Sequence, residues 1–169
     1  MFIAHLPSGY ILAKVLNQKL QQNKISKTVF FTSIMLGSVF PDIDLFYFYF
    51  FDGRSVHHHK YFLHWFSLWL IIFFISYLYY KFSKHFAKYA YIVLLFSSAA
   101  LLHICLDTFV GDVWLFAPFI DKSYVFFEVT PRYQPWWLNF IFHWSFLVEL
   151  MICSMAIFLY FKNKVQTKP

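Results

Sequence analysis

Three long apolar runs dominate the hydropathy pattern of this chain: Tyr61 to Tyr80, Tyr89 to Val110 and Trp137 to Phe161. Each reaches the about 20 residues that a helix needs to cross a bilayer at roughly 1.5 Å rise per residue. Two shorter segments precede them. Ser8 to Gln22 opens on an N-cap serine and intersperses Ile11, Leu12, Val15, Leu16 and Leu20 with Lys14, Asn17, Gln18 and Lys19, an amphipathic pattern rather than a wholly apolar one. Its span of about 22 Å falls short of the roughly 30 Å hydrocarbon core. A second helix is predicted from Ser26 or Lys27 to about Phe40, where Pro41 disfavours helix at the residue before it. The apolar runs extend to helices over about Val56 to Tyr80, about His85 to Phe109, and Trp137 to Phe161. Between the last two lies a loop of roughly 25 residues carrying Gly111, Pro118, Pro131 and Pro135, a length that predicts a lid or a substrate-facing wall. Trp136, Trp137 and Tyr133 at its end suit an interfacial aromatic belt. The reading is all-α: one domain over residues 1–169, an integral membrane bundle of about five helices, three of them spanning and two shorter or embedded.

Composition strengthens this picture. The chain is 60% hydrophobic, 25% aromatic and 13% charged, against about 25% charged residues in a soluble domain. Its start lacks a basic region, and His5 and Pro7 interrupt the first apolar stretch, so no cleavable signal peptide is expected. Cys105 and Cys153 fall inside predicted spans and read as small buried apolar residues, with Cys105 turned away from whatever His103 holds.

The net charge of +6 reflects topology and not a nucleic-acid partner. Lys14, Lys19, Lys24, Lys27, Lys81, Lys84, Lys88, Lys162, Lys164 and Lys168 gather at one set of helix ends, leaving Arg54, Lys60, Lys122 and Arg132 at the other. Ten against four predicts that the first set is cytoplasmic. The same arrangement puts every acid except Glu149 outside, together with His59, His64 and His103, and with His5 if the first helix begins at that surface. Glu149 reads as near mid-span, needing a partner such as Lys14, or protonation; it and His143 are treated as structural or outlying groups.

The outward-facing residues carry the chemistry. His103 and Asp107, four apart, share one face of a helix and can reach one ion, or form a buried hydrogen-bonded pair. Asp42 and Asp44 flank Ile43; on extended chain they would point the same way, and two close carboxylates ask for a cation. His59 and His64, five apart, chelate poorly on a straight helix, an objection that lapses if the helix begins only near Tyr61; the roles of His57 and His58 stay open. His5, Asp42, Asp44, His59, His64, His103 and Asp107 are therefore the candidate ligands of a divalent metal, zinc first and manganese second. Seven exceed the four that zinc takes, so one or two ions are expected. No serine or cysteine is placed to act as a nucleophile with a base, which leaves hydrolysis by metal-activated water, with Asp42 or Asp44 as general base if not a ligand. Membrane lipid is the expected partner, and a phosphoester or lipid-linked ester the expected substrate. The rival readings are a non-catalytic membrane protein with a structural metal or polar network, and a metal or proton transporter, although transporters usually place ionisable groups on broken helices near mid-membrane.

An early His5, then Pro41-Asp42-Ile43-Asp44, then His59-Lys60 with Leu63-His64-Trp65, then His103 to Asp107 followed by Gly111 and Pro118, resembles in order and spacing the bacterial family of predicted membrane-bound metal-dependent hydrolases, the YdjM-like inner-membrane proteins. The resemblance covers about Met1 to Phe119, and the last helix by hydropathy only. Lysine replaces the family's arginine after His59, and leucine and tryptophan replace the threonine and serine flanking His64. These changes keep the ligands and alter the surroundings of a substrate. The resemblance implies a protein of the bacterial inner membrane and a hydrolase class; with that location, the outer face set by the lysine asymmetry is the periplasmic one. More distantly, the ligand style is similar to that of zinc-dependent phospholipase C.

Overall fold

The computed structural model describes residues 3–19 and 25–166. Lys24 and Lys168, and the predicted end of the first helix at Gln22, lie outside them. Among the described residues there are seven α-helices and no strand: α1 His5–Lys19, α2 Lys27–Gly37, α3 Asp44–Phe50, α4 Phe66–Phe82, α5 Ala87–Asp107, α6 Trp137–Ile141 and α7 Ser145–Gln166. Short 3-10 turns occupy Phe40–Ile43, His58–Lys60 and Phe62–His64.

The all-helical expectation stands, while the number of spans differs. Among the described residues two helices, α5 and α7, are long and apolar enough to cross a membrane. A third span arises only if α2 and the Phe40–Phe50 stretch are taken as one path bent by 58°. The predicted third helix is shorter than expected because the chain from His57 to Trp65 is taken up by two 3-10 turns, with Tyr61 extended between them (φ −70°, ψ 155°). At 17 residues, α4 reaches about 25 Å. The predicted last helix is two: α6 ends at Ile141 and the chain turns before α7, with His143 N–H on the Phe140 carbonyl (3.2 Å). Membrane residence shows in what stays uncovered. Only 17% of the apolar Ser145–Lys162 window is buried against the rest of the chain, leaving Leu147, Met151, Met155 and Phe158 outward. In water such a face would be an aggregation surface; in lipid it costs nothing.

The core lies between α1, α2, α4 and α5. Ala13, Phe30, Ile34, Tyr91, Leu95 and Ala99 pack together, and Trp69, Ala100, Ile104 and Val113 form a second cluster nearer the site. Small residues let backbones approach. A Cβ at Gly37 would collide with the Phe96 carbonyl, so α2 can lie this close to α5 only with glycine there. This contact has a functional consequence, since the residue after Gly37 supplies a carbonyl to the site.

Helix direction separates charge from chemistry. Lys81, Lys84 and Lys88 surround the α4–α5 turn, whereas His64 precedes α4 and Asp107 ends α5. α1 begins at His5, earlier than the predicted Ser8, whose hydroxyl instead donates to the His5 carbonyl (2.7 Å). Glu149 sits one turn into α7 and not near mid-span. Its Oε2 accepts from the Ile3 N–H at 2.6 Å, while Lys14 lies over the rings of Tyr10 and Phe31. Glu149 thus belongs to the same end of the bundle as the other acids. Cys105, expected to be buried, is exposed on the outer face of α5, and Cys153 is half-buried.

Candidate metal centre

Asp107 closes α5 and is buried among four imidazoles. Its Oδ1 lies 3.0 Å from His5 Nε2. Its Oδ2 lies 2.9 Å from His103 Nε2, 3.6 Å from His64 Nε2 and 3.7 Å from His59 Nε2. Asp42 Oδ1 approaches the same point, 3.7 Å from His64 Nε2 and 3.6 Å from His103 Nε2. Ligand atoms of Asp42, His64, His103 and Asp107 all fall within 4.8 Å of one another. Bonds of about 2.0–2.1 Å in a tetrahedron put ligand atoms about 3.3–3.4 Å apart, which these separations bracket.

The backs of the imidazoles are already fixed. His103 Nδ1 pairs with the Ser38 carbonyl at 2.8 Å, His59 Nδ1 with the Asp112 carbonyl at 2.9 Å, and His64 Nδ1 with Asp44 Oδ2 at 2.7 Å. With Nδ1 as donor in each, Nε2 is the nitrogen that faces inward and the one whose lone pair a cation would take, the outer-shell arrangement that sets the tautomer of metal-binding histidines. His64 Nε2 and His103 Nε2 are buried and make no hydrogen bond. Buried polar atoms of this kind are costly without a partner, and a cation between them would supply one. The residues fit a divalent cation.

Local sequence explains the convergence. Ser38 caps α2 in a helical conformation, and Pro41 sits in the first turn of the 3-10 segment Phe40–Ile43, which runs into α3. Because this backbone is helical and not extended, Asp42 and Asp44 do not point the same way. They grip His64 from opposite edges, Asp42 towards Nε2 and Asp44 at Nδ1. The 3-10 turns at His58–Lys60 and Phe62–His64 release His59 and His64 from helical spacing, so both turn inward. Gly111 makes room for His59: a Cβ there would sit 2.8 Å from its Cε1. His5 stacks on His103, ring centroids 3.8 Å apart.

All seven predicted site residues lie at this end of the bundle. Six have an atom facing the others across the gap, and Asp44 stands behind His64. His58, whose role the spacing left open, joins His59 and His64 in a second convergent group. His57 lies beside it on the wall of the cavity described below. His143 is elsewhere, with Nδ1 on the Ser145 hydroxyl (2.8 Å). Arg54 carried no signal in the sequence beyond its charge, and it too faces the cavity.

Electrostatics follow burial. Desolvation pulls the His58 imidazole down to about 4, helped by the neighbouring His64 and His57, and pushes His57 and His59 below their usual range. These rings are neutral at pH 7. Burial also opposes charge on His64, but Asp107, Asp42 and Asp44 outweigh it and raise its pKa to about 11. Without a cation, His64 carries the charge that its carboxylate neighbours demand.

The centre is accessible. A cavity of about 670 Å³ opens onto Asp42, Asp107 and His57 to His59, with walls from Phe48, Tyr49, Trp136 and Phe140. The Asp42 side chain is 33% exposed, whereas His64 is fully buried. The long loop after α5 forms part of the wall through Val110 and Gly111. It is pinned by reciprocal Val113–Tyr124 hydrogen bonds (3.1 and 2.9 Å) and by Phe126 and Phe127 N–H groups on the Thr108 and Phe109 carbonyls.

A family model described as YdjM inner membrane protein matches residues 1–166. The chain belongs to the YdjM inner membrane protein family, and the match extends beyond Phe119 through the last helix. No curated protein and no solved structure matches it.

Proposed function

We propose that this member of the YdjM family is a membrane-bound metal-dependent hydrolase, acting on a phosphoester or lipid-linked ester at the periplasmic face of the inner membrane. The observation that carries the reading is the convergence of His64 Nε2, His103 Nε2, Asp42 Oδ1 and Asp107 Oδ2 beneath an open cavity. A structural zinc site is closed by its ligands, and a catalytic one keeps a position open. Here the open side is that of Asp42. The gathering of lysines at the opposite helix ends supports the periplasmic placement.

A divalent cation held by His64, His103 and Asp107, with its fourth position left open on the side of Asp42, would supply Lewis acidity and lower the pKa of a coordinated water towards neutrality. The chain's residues do the rest. Asp44 fixes the ring of His64 and the Ser38 carbonyl that of His103, so neither imidazole must reorganise on binding. Asp42, the carboxylate most open to the cavity, is placed to accept a proton on the substrate side. His58 and His59, beside His64, offer imidazole donors for a second ion, since His64 Nε2 serves the first and its Nδ1 is held by Asp44.

Metal analysis of the detergent-purified full chain tests this reading. About one to two equivalents of zinc or manganese are expected in the wild type and almost none in His103→Ala. Chelator-sensitive hydrolysis of bis(p-nitrophenyl) phosphate should follow the metal. A wild type that holds no ion after reconstitution sinks the proposal.

Proton release provides an independent check. His64 is protonated in the metal-free protein up to about pH 11, so a cation at Nε2 must expel that proton. Proton and metal compete over the whole range below that value, and zinc affinity therefore rises with pH. Zinc added near pH 7 to weakly buffered protein should release at least about one proton per ion. No release would remove His64 from the ligand set.

A further inference from the structure

The cavity above the metal centre has a second pole. Its floor holds Asp42, Asp107 and His59, and its walls are Leu45, Phe48, Tyr49, Val110, Trp136 and Phe140. At the rim stands Arg54, the one lysine or arginine among the lining residues. Its placement is built and not incidental. Gly53 and Arg54 both adopt positive φ (59° and 65°), a conformation uncommon for residues other than glycine. Arg54 N–H donates to the Phe48 carbonyl (3.2 Å), and Asp52 holds the next residue through Ser55 N–H and hydroxyl (2.9 and 2.6 Å). The chain thereby doubles back over α3, and the guanidinium lies on Tyr49, 4.7 Å from the ring centroid. Lys60 is occupied by Asp121 at 2.9 Å, but among the described residues no carboxylate lies within ion-pair distance of Arg54.

We infer that the cavity receives a phosphate-bearing lipid, with Arg54 holding the phosphate and the acyl chains leaving along the aromatic wall. The inference rests on the metal-centre reading above. A planar guanidinium donates to phosphate oxygens in a fork. A cation over Asp42 and Asp107 neutralises a floor that would otherwise repel an anion, so phosphate oxygens are attracted from both ends of the cavity. The volume suits a headgroup and the start of its chains rather than a whole diacyl lipid. The remainder would meet an apolar surface on the adjoining face of α3, where Phe46 and Phe50 stack on each other and are 65% and 76% exposed. A soluble phosphoester would use Arg54 but not this wall.

The test is native mass spectrometry of the full chain in detergent, titrated with the non-hydrolysable phosphonate analogue of phosphatidate, with diacylglycerol and with inorganic phosphate. Wild type should bind the phosphonolipid at least ten-fold more tightly than either of the others. Arg54→Ala should lose ten-fold or more of that affinity, and Arg54→Lys less, with metal content equal in all three. Phe140→Ala should weaken the phosphonolipid and leave phosphate unchanged, which separates a lipid from a free phosphate. Unchanged affinity in Arg54→Ala overturns the inference, as does inorganic phosphate binding as tightly as the lipid. A wild type without metal defeats the hydrolase reading instead. The Arg54 comparison stays readable in that event, because it is a difference between proteins in the same metal state.

Discussion

Asp107→Asn is expected to empty the metal centre while preserving nearly all of its volume. One carboxylate faces His5, His59, His64 and His103 at 2.9–3.7 Å, and no other described acid meets so many of the imidazoles. Asparagine fits the space but brings no charge, and its amide hydrogens confront ring nitrogens that need a cation. Zinc affinity should fall by more than the roughly 10–100-fold typical of losing an outer-shell partner, because here a ligand is lost. The metal-free protein should suffer as well. Removing one partner from a buried charge network costs about 3–5 kcal/mol, and His64 is left protonated with fewer carboxylates to match it. The measurements are metal content and the thermal midpoint in chelator, with Asp112→Asn as the control. Asp112 contributes its backbone carbonyl to His59, which the substitution leaves in place. A variant retaining full metal and an unchanged midpoint would falsify the central role given to Asp107.

Some of this geometry was legible in the chain itself. The four-residue spacing of His103 and Asp107 needs only a helix to become a site, and α5 supplies it. The lysine asymmetry foretold which helix ends would hold the acids, and it did so better than the hydropathy pattern placed Glu149. That residue's position shifted because the last helix breaks at His143 and Trp144, where neither proline nor glycine marks a stop. Other features depended on backbone that composition does not encode. The run Leu45-Phe-Tyr-Phe-Tyr-Phe is rich in aromatic residues of middling helix propensity, and its folding as α3 is what sets Asp42 and Asp44 on opposite edges of His64. Histidine spacing was uninformative for a related reason. Periodicity arguments assume one repeat, and the chain from His57 to Trp65 alternates 3-10 turns with an extended residue. Arg54 was invisible as a site residue because its position depends on two successive positive φ angles.

The distinct placement of Asp44 leads to the second expected result. Asp44→Ala should lower zinc affinity about 10–100-fold without removing the site, the usual outcome when a histidine ligand loses its outer-shell carboxylate. At a tenfold change per 1.4 kcal/mol this amounts to about 1.4–2.8 kcal/mol. The cause is local: His64 is buried, and its Nδ1–H would lose the only acceptor it has among the described residues, at 2.7 Å. The ring then pays to hold its orientation, and His64 Nε2 is a weaker ligand. Metal content measured against free zinc separates this role from direct ligation. An orienting Asp44 gives a curve shifted to higher zinc that reaches the wild-type stoichiometry, and Asp44→Asn, whose amide oxygen can still accept from Nδ1, recovers part of the shift. A stoichiometry that stays low at saturating zinc would instead make Asp44 a ligand, and would move the ion toward α3 and away from the opening beside Asp42.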